Sequence, residues 1–207
     1  MSVRPPMASP GPSPLAGLPV EFVGSFPDAT VRLDPRRAEI ALLGRSNVGK
    51  SSLLNALFGR RLARVSHTPG RTALLNVYRL PTLYLLDLPG YGFARVSHAE
   101  RNRYARLVRG VFERRAALSG VLWLLDVRHD PSPEDRSYGE LLAARGLPVL
   151  VALTKADKLP HARRQRRLRE ITDLLALTPE QVQLTSSTTG LGIADLGESL
   201  LAAAEAA

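Results

Sequence analysis

Short continuous runs of apolar residues recur along the chain and are separated by longer, more polar stretches. The runs cover residues 40–43, 83–86, 121–125 and 149–153. Runs of this length without alternation are typical of strands that are buried on both faces of a parallel sheet. Two weaker segments predict strands at residues 182–184 and 74–80, and the second, with polar residues among its apolar ones, predicts an edge strand.

Stretches with helical spacing of apolar residues lie between these strands. In residues 100–118 one face of the predicted helix is apolar, with Tyr104, Leu107, Val108, Val111 and Phe112. Arginines occupy much of the remaining circumference. Further helices are predicted at residues 49–58, 133–145, 161–177 and 193–204. Strands that alternate with helices predict an α/β domain, with a mainly parallel six-stranded sheet and helices on both of its faces.

Length and composition indicate one folded domain. The 207 residues are 44% hydrophobic and 23% charged, which is ordinary for a globular protein with one core. The chain has no cysteine, so disulfide bonds are excluded as a source of stability. Residues 1–20 are rich in proline, serine and glycine and lack periodicity. We therefore expect a flexible tail at residues 1–20, followed by a single domain over residues 21–207.

The sequence carries no signal for membrane insertion or export. No stretch has the roughly 18 uninterrupted apolar residues of a membrane span, and prolines interrupt the N-terminus too often for a signal peptide. We expect a cytoplasmic protein without a membrane partner. The net charge of +9 favours an anionic polymer as partner, with RNA as the leading candidate. Alternatively, the excess of arginine over lysine reflects only the base composition of the genome.

The residues after the first continuous run match the phosphate-loop pattern GxxxxGK[ST]. They are Gly44, Arg45, Ser46, Asn47, Val48, Gly49, Lys50 and Ser51. The glycines let the backbone curl so that its amide groups face phosphate oxygens, and the following helix adds its positive N-terminal end. Lys50 is expected to bridge the outer phosphates, and the Ser51 hydroxyl to ligate magnesium. The loop therefore predicts a site for a nucleoside triphosphate.

A second pattern, DxxG, follows the run at residues 83–86. It consists of Asp87, Leu88, Pro89 and Gly90. An aspartate in this place reaches magnesium, usually through water, and the glycine amide contacts the terminal phosphate. Between the two patterns, Thr68 and Thr72 each have the position of a switch threonine, whose hydroxyl reaches magnesium. The residues alone do not choose between these two threonines.

The base is expected to be read by a third pattern, after the run at residues 149–153. Thr154, Lys155, Ala156 and Asp157 are similar to NKxD, with threonine in place of asparagine. A carboxylate can accept hydrogen bonds from the ring N–H and the exocyclic amine of guanine, whereas adenine offers no such pair of donors. The turn Thr185, Ser186 and Ser187 is expected to approach the base carbonyl group.

Taken in order, the segments "GRSNVGKS", "TPGRT", "DLPGYG", "TKAD" and "TSS" resemble the EngB (YihA/YsxC) family of bacterial GTPases, within the TrmE-Era group. The resemblance spans residues 22–201. It implies a Ras-like P-loop domain that binds GTP or GDP and Mg²⁺ and acts in assembly of the large ribosomal subunit. It selects Thr72 as the switch threonine, so that Ser51, Thr72 and Asp87 are the expected metal ligands. It adds to the nucleotide shell Gly70, Arg71, Thr72, Ala73 and Leu74.

The expected chemistry is slow hydrolysis of GTP. Tyr91 occupies the position of the glutamine that orients water in Ras-type enzymes, so we expect an unassisted rate on the order of 10⁻⁴ s⁻¹. The candidate catalytic residues are Lys50, Thr72, Gly90 and Asn47. In related GTPases an asparagine at the place of Asn47 helps to hold a potassium ion, so we hypothesise the same here. His67 and His98 are interpreted as surface residues.

The expected partners are the large ribosomal subunit or its precursor and ribosomal RNA, contacted by a monomer. Two arginine-rich stretches, residues 101–115 and 163–169, are the candidate RNA-binding regions. One alternative function is a nucleotide-regulated RNA-binding module in which hydrolysis is incidental. Another is an ATP-using phosphotransferase, against which Asp157 argues. The family's name also carries an association with cell division and septation, which no residue quoted above supports.

Overall fold

The computed structural model describes residues 11–63, 74–92 and 97–206. Within them the strands are β1 Glu21–Phe26, β2 Ala38–Gly44, β3 Leu75–Arg79, β4 Leu83–Asp87, β5 Leu118–Asp126, β6 Val149–Thr154 and β7 Val182–Leu184. The helices are α1 Lys50–Phe58, α2 His98–Arg114, α3 Pro133–Ala144, α4 His161–Leu174 and α5 Ile193–Glu205. In these described ranges, no helix combines the length and the apolar composition that crossing a membrane requires.

The strands form one sheet in the order β1-β3-β4-β2-β5-β6-β7. The pairs from β4 to β7 are parallel, whereas β3 is antiparallel to both β4 and β1. In register, Leu42 pairs with Asp87 and Asp126 pairs with Thr154. The carboxyl ends of the parallel strands therefore meet at one edge, where ligands bind in open α/β sheets.

Over the described residues the sheet has seven strands, so the prediction of six is wrong by one. The additional strand, β1, pairs with β3 and takes the edge position that was expected for residues 74–80. The sequence of β1, EFVGSF, gives neither a continuous nor an alternating apolar pattern. In the structure, the side chains of Phe22 and Val23 are exposed, with 45% and 39% of their surface accessible to solvent. Phe26 packs against the core and the Phe22 ring lies 5.5 Å from that of Tyr78, but it is the hydrogen bonding to β3 that defines this strand.

The continuous apolar runs are explained by two cores, one on each face of the sheet. Along β2, Ala41 and Leu43 face the core formed with α2, α3 and α4, while Ile40 and Leu42 face the core formed with α1 and α5. Successive side chains of a strand point to opposite faces. Because both faces are covered, every residue of such a run is apolar.

The N-terminal segment does not behave as the predicted flexible tail over the part that the structure describes. Leu15 is fully buried, and Val20 is nearly so, in the core formed with α1 and α5. A Cβ added at Gly197 of α5 would lie 2.6 Å from Ser13 Oγ. The packed chain thus begins before residue 21, and isolated apolar residues among prolines and glycines gave no periodic signal of it.

Helix α2 ends at Arg114, short of the predicted end at residue 118, because Arg115 turns inward. Its guanidinium group forms a salt bridge with Glu39 in which both side chains are less than 10% exposed. It also donates to the carbonyl groups of Ala29, at 2.8 Å, and Val31, at 3.0 Å. Arg115 is therefore a structural residue and does not belong to the basic surface expected over residues 101–115.

Replacing Leu15 with alanine is expected to lower the free energy of unfolding by about 2–5 kcal/mol, because it leaves a cavity at a fully buried site. Chemical denaturation of the full chain measures this loss. The exposed Pro12→Ala substitution in the same segment is the control and should change the value by less than about 0.5 kcal/mol. If neither substitution changed the free energy of unfolding, this segment would not pack as described.

Candidate nucleotide-binding site

The loop between β2 and α1 has the backbone conformation that a phosphate loop requires. Asn47 and Gly49 are left-handed, with φ of 63° and 105°. Helix α1 begins at Lys50 without a side-chain cap and without an acidic residue in its first turn. Its first amide groups thus carry no competing side-chain acceptor, and its positive end faces the loop. This arrangement suits a phosphate group.

The DxxG loop packs directly on this phosphate loop. Ser46 N donates to Tyr91 O at 2.8 Å, and Tyr91 N donates to Gly44 O at 3.3 Å. A Cβ added at Gly90 would lie 2.8 Å from Ser46 Oγ and 2.9 Å from Ser46 N. Glycine is therefore required at position 90 for contact with the phosphate loop. Leu88 beside it is fully buried and Pro89 is half-buried.

Lys50 and Asp87 meet at the head of the loop. Lys50 Nζ forms an ion pair with Asp87 Oδ1, and these side chains are only 11% and 5% exposed. Asn76 Nδ2 donates to the other carboxylate oxygen at 3.2 Å, and Ser25 Oγ donates to Asn76 Oδ1 at 2.7 Å. Asn76 thus orients Asp87, a role that sequence reasoning missed. Its only signal was an amide in the middle of a strand.

The oxygen ligands expected for Mg²⁺ fit this part of the site. Ser51 lies in the first turn of α1, and Asp87 ends β4. A hydroxyl group and a carboxylate are the hard oxygen donors that this ion takes. The third expected ligand, Thr72, lies outside the described residues, as do Gly70, Arg71, Ala73 and the alternative threonine, Thr68. Leu74 is described and is half-buried beside β3.

The segment after β6 holds the phosphate loop through its carbonyl groups. Thr154 Oγ1 donates to Val48 O at 2.7 Å, and Lys155 Nζ donates to Asn47 O at 2.6 Å. Lys155 also forms a 3.0 Å ion pair with Asp126, at the end of β5. The threonine that replaces asparagine in the NKxD pattern therefore still makes a hydrogen bond between the two motifs.

Asp126 is a second residue that sequence reasoning missed. Burial acts to raise the pKa of its carboxyl group, but hydrogen bonds from Arg128 and Lys155 outweigh this effect and hold the pKa well below its usual range. It remains ionised and fixes the ammonium group of Lys155. Its position directly after an apolar run, on the same sheet edge as the three motifs, was the available signal.

Asp157 is oriented by the turn that follows β7. Its Oδ1 accepts from Ser186 Oγ at 2.7 Å, and its Oδ2 pairs with Lys158 Nζ at 3.2 Å. Burial acts to raise the pKa of Asp157, but these two partners outweigh it, so the pKa lies below its usual range. Ala156 N donates to Thr185 O at 3.1 Å, which joins the two segments. The structure thus supplies a fixed carboxylate, as guanine recognition requires.

A cleft of about 1090 Å³ lies between α1 and this turn, and Ser52, Ser187 and Thr188 are among the residues that line it. Its wall includes Ser52, which follows the phosphate loop in the chain, and Ser187, which follows Ser186, the hydrogen-bond partner of Asp157. Asn55 in its wall accepts from Leu62 N at 2.9 Å and Ala63 N at 2.8 Å. Asn55 therefore fixes the chain just before residue 64, which the sequence did not indicate.

Comparison with known proteins assigns the chain to a family. A sequence model described as "50S ribosome-binding GTPase" matches residues 39–155, more than half of the chain. The probable GTP-binding protein EngB of Desulfitobacterium hafniense is 44% identical over 78% of this chain and 82% of its own length. Its counterpart in Desulfovibrio desulfuricans is 46% identical over 81% and 83%. The chain belongs to the EngB family of GTP-binding proteins.

A solved structure agrees with the fold. The crystal structure of a probable EngB protein superimposes with a TM-score of 0.71 at 21% sequence identity, covering 82% of this chain and 100% of that chain. The Ras-like α/β fold and the resemblance to EngB are therefore confirmed. EngB membership makes the protein a GTPase that binds GTP and GDP.

Of the four candidate catalytic residues of this EngB-family protein, three lie within the described residues. Lys50 and Gly90 lie together at the phosphate loop, and Asn47 is exposed on it. Thr72, with His67, lies outside the described residues, and so does the side chain of His98. Tyr91, which replaces the water-orienting glutamine, is 2% exposed and directs its hydroxyl group to Asp135.

Asp157→Asn is expected to lower GTP affinity by about 100-fold or more and to favour xanthosine triphosphate, because the amide no longer accepts from both guanine donors. Equilibrium binding of labelled GTP, ATP and xanthosine triphosphate measures the change. The exposed Asp173→Asn in α4 is the matched control and should leave all three affinities unchanged. Undiminished GTP binding by the first variant would contradict the assignment of Asp157.

Proposed function

We propose that this EngB-family GTPase is a switch in the assembly of the large ribosomal subunit. It binds a precursor of that subunit in its GTP form and leaves after hydrolysis. The observation that carries the proposal is the exposed basic face of α2, the helix that follows the DxxG loop in the chain. The description of the matching family, a 50S ribosome-binding GTPase, supports the same partner.

The α2 arginine face consists of Arg101, Arg103, Arg106 and Arg109. All four side chains are exposed, while Tyr104 and Leu107 of the same helix pack into the core. Among the described residues, none of the four has a carboxylate within salt-bridge distance. Their charges are thus available for phosphate groups of RNA, which bind through release of counterions.

The second basic stretch, residues 163–169, is a weaker candidate because most of its arginines have partners within the protein. Arg164 donates to Leu159 O at 2.6 Å. Arg166 pairs with Glu170 at 2.7 Å, and Arg167 pairs with Glu170 at 2.6 Å and Asp130 at 2.8 Å. This leaves Arg163 and Arg169 as its exposed arginines without a described partner. Of the two predicted regions, α2 is therefore our choice for the RNA contact.

At the nucleotide, Lys50 is proposed to hold the outer phosphates, and the Gly90 amide to contact the terminal phosphate. Bound Mg²⁺, held by Ser51, Asp87 and Thr72, would supply charge neutralisation on these phosphates. Gly90 and Thr72 would contact the terminal phosphate of GTP, which GDP lacks. This difference in contact can shift the equilibrium between a GTP-bound and a GDP-bound conformation. Because the Tyr91 side chain is buried, we propose that hydrolysis is slow until the precursor completes the site. A ribosomal partner also implies a cytoplasmic protein, which we propose to act as a monomer.

A second candidate function is a nucleotide-regulated RNA-binding module in which hydrolysis is incidental. The buried Tyr91 in place of a water-orienting side chain favours it. Thr72→Ala, chosen for retained GTP affinity, separates the two candidates in a release assay from precursor particles. Loss of release supports the switch, whereas normal release with abolished hydrolysis supports the module.

Removing two charges from the α2 arginine face, in Arg103→Ala/Arg106→Ala, is expected to weaken binding to large-subunit precursors about tenfold or more. The slope of log affinity against log salt should fall by about 2, one unit for each lost phosphate contact. Sedimentation with a non-hydrolysable GTP analogue over a series of salt concentrations measures both quantities. Arg163→Ala/Arg169→Ala in α4 removes the same charge and is the control. The proposal would be contradicted if the α4 variant lost more affinity for the precursor than the α2 variant, or if the affinity did not depend on salt concentration.

Potassium is expected to stimulate GTP hydrolysis, with Asn47 among the residues that hold the ion. Asn47→Gly is the suitable variant because residue 47 has a left-handed backbone that glycine adopts freely. Turnover should be faster in potassium than in sodium for the unaltered protein and equal for the variant. Equal turnover of the unaltered protein in both salts would remove potassium from the proposal.

A further inference from the structure

The side chain of Tyr91 lies in a buried polar cluster that the function described above does not use. Its hydroxyl group donates to Asp135 Oδ1 at 2.6 Å and accepts from Trp123 Nε1 at 3.0 Å. The three residues are each no more than 2% exposed. They belong to the DxxG loop, to α3 and to β5, so one hydroxyl group joins three parts of the fold.

The carboxylate of Asp135 is itself held in place. Its Oδ2 accepts from both the backbone N and the Oγ of Ser132, each at 2.7 Å, in the capping box that begins α3. It lies at the N-terminal end of α3, where the helix dipole interacts favourably with negative charge. Burial, followed by the charge of Asp135, raises the pKa of Tyr91 far above its usual range, so the phenol stays protonated and donates.

The ring of Tyr91 is also confined. Its centroid lies 4.6 Å from that of Tyr138 in α3 and 6.3 Å from that of Tyr104 in α2. Tilted rings at these distances are within the range of favourable aromatic contact. Both helices therefore restrict the ring, and the hydroxyl group sets its direction.

The backbone of the same residue holds the phosphate loop. Tyr91 N and O pair with Gly44 O and Ser46 N, and the preceding Gly90 has no space for a Cβ against Ser46. Tyr91 follows Gly90 directly, so the contacts that fix the side chain and the backbone of Tyr91 also restrict the position of Gly90. Side chain and backbone of one residue connect α3 to the place expected for the terminal phosphate.

We propose that Tyr91 is a positioning residue for GTP over GDP: its hydroxyl group, held by Asp135 and Trp123, keeps the Gly90 N–H directed at the γ-phosphate. GDP lacks this phosphate, so the hydrogen bonds of the hydroxyl group contribute selectively to GTP binding. The proposal rests on GTP binding and on the role of Gly90, and not on any ribosomal partner.

Tyr91→Phe tests the proposal, because it removes only the hydroxyl group. Affinity for a non-hydrolysable GTP analogue is expected to fall about tenfold, the effect of a hydrogen bond to a charged group, while GDP affinity stays within about twofold. Fluorescence titration of the purified protein with both nucleotides measures the ratio. Tyr138→Phe is the matched control, since it removes a hydroxyl group from the same cluster at a residue with no backbone contact to the phosphate loop.

If Tyr91→Phe does not fold, Asp135→Asn tests the same hydrogen bond from its other partner. It is expected to lower the ratio of GTP to GDP affinity in the same way, and the double variant should lose no more than either single variant. Thermal unfolding of each variant separates stability from selectivity. A lowered melting temperature with an unchanged ratio would overturn the proposal and leave Tyr91 a structural residue. Since no ribosome is present, failure of the proposed ribosomal function would not alter these results.

Discussion

The shape of the phosphate loop depends on hydrogen bonds that its backbone carbonyl groups accept from outside the loop. A loop whose amide groups face a phosphate turns its carbonyl groups outward, and those groups need donors. Thr154 and Lys155 supply two, at Val48 and Asn47. The segment expected to read the base therefore also supports the phosphate loop, so the two ends of the nucleotide site form one unit.

The same edge of the sheet has to accommodate several carboxylates beside an anionic ligand. Each of the three is paired with a lysine: Asp87 with Lys50, Asp126 with Lys155 and Asp157 with Lys158. Pairing offsets their negative charge locally and fixes the direction of each lysine. The excess positive charge of the chain is then left for other surfaces, of which α2 carries the clearest concentration.

Helix α2 connects the nucleotide site to that surface. Tyr104, on its inner side, contacts the ring of Tyr91, while Arg103 and Arg106 on its outer side are exposed. One layer of side chains thus separates the DxxG loop from the proposed RNA contact. For the proposed switch, a small displacement of the loop would be enough to reach the proposed partner, because closely packed side chains transmit movement.

The sequence by itself determined the parallel core and the motifs, because both depend on neighbouring residues. A run such as 40–43 is apolar throughout since both faces of its strand are covered, and the glycines and lysine of the phosphate loop stand within eight consecutive positions. Membership of the EngB family followed from those same local patterns.

Only the tertiary structure decided the features that join distant residues. Strand β1 exists through its pairing with β3. Arg115 turns inward because it pairs with Glu39, a residue 76 positions away in the chain. Tyr91 donates a hydrogen bond to Asp135, which is 44 positions away. None of these pairs has a periodic signature, so none can be recognised from the residues that neighbour either member in the chain. The packing of Leu15 is of the same kind, since its burial is created by α1 and α5 and not by its own neighbours.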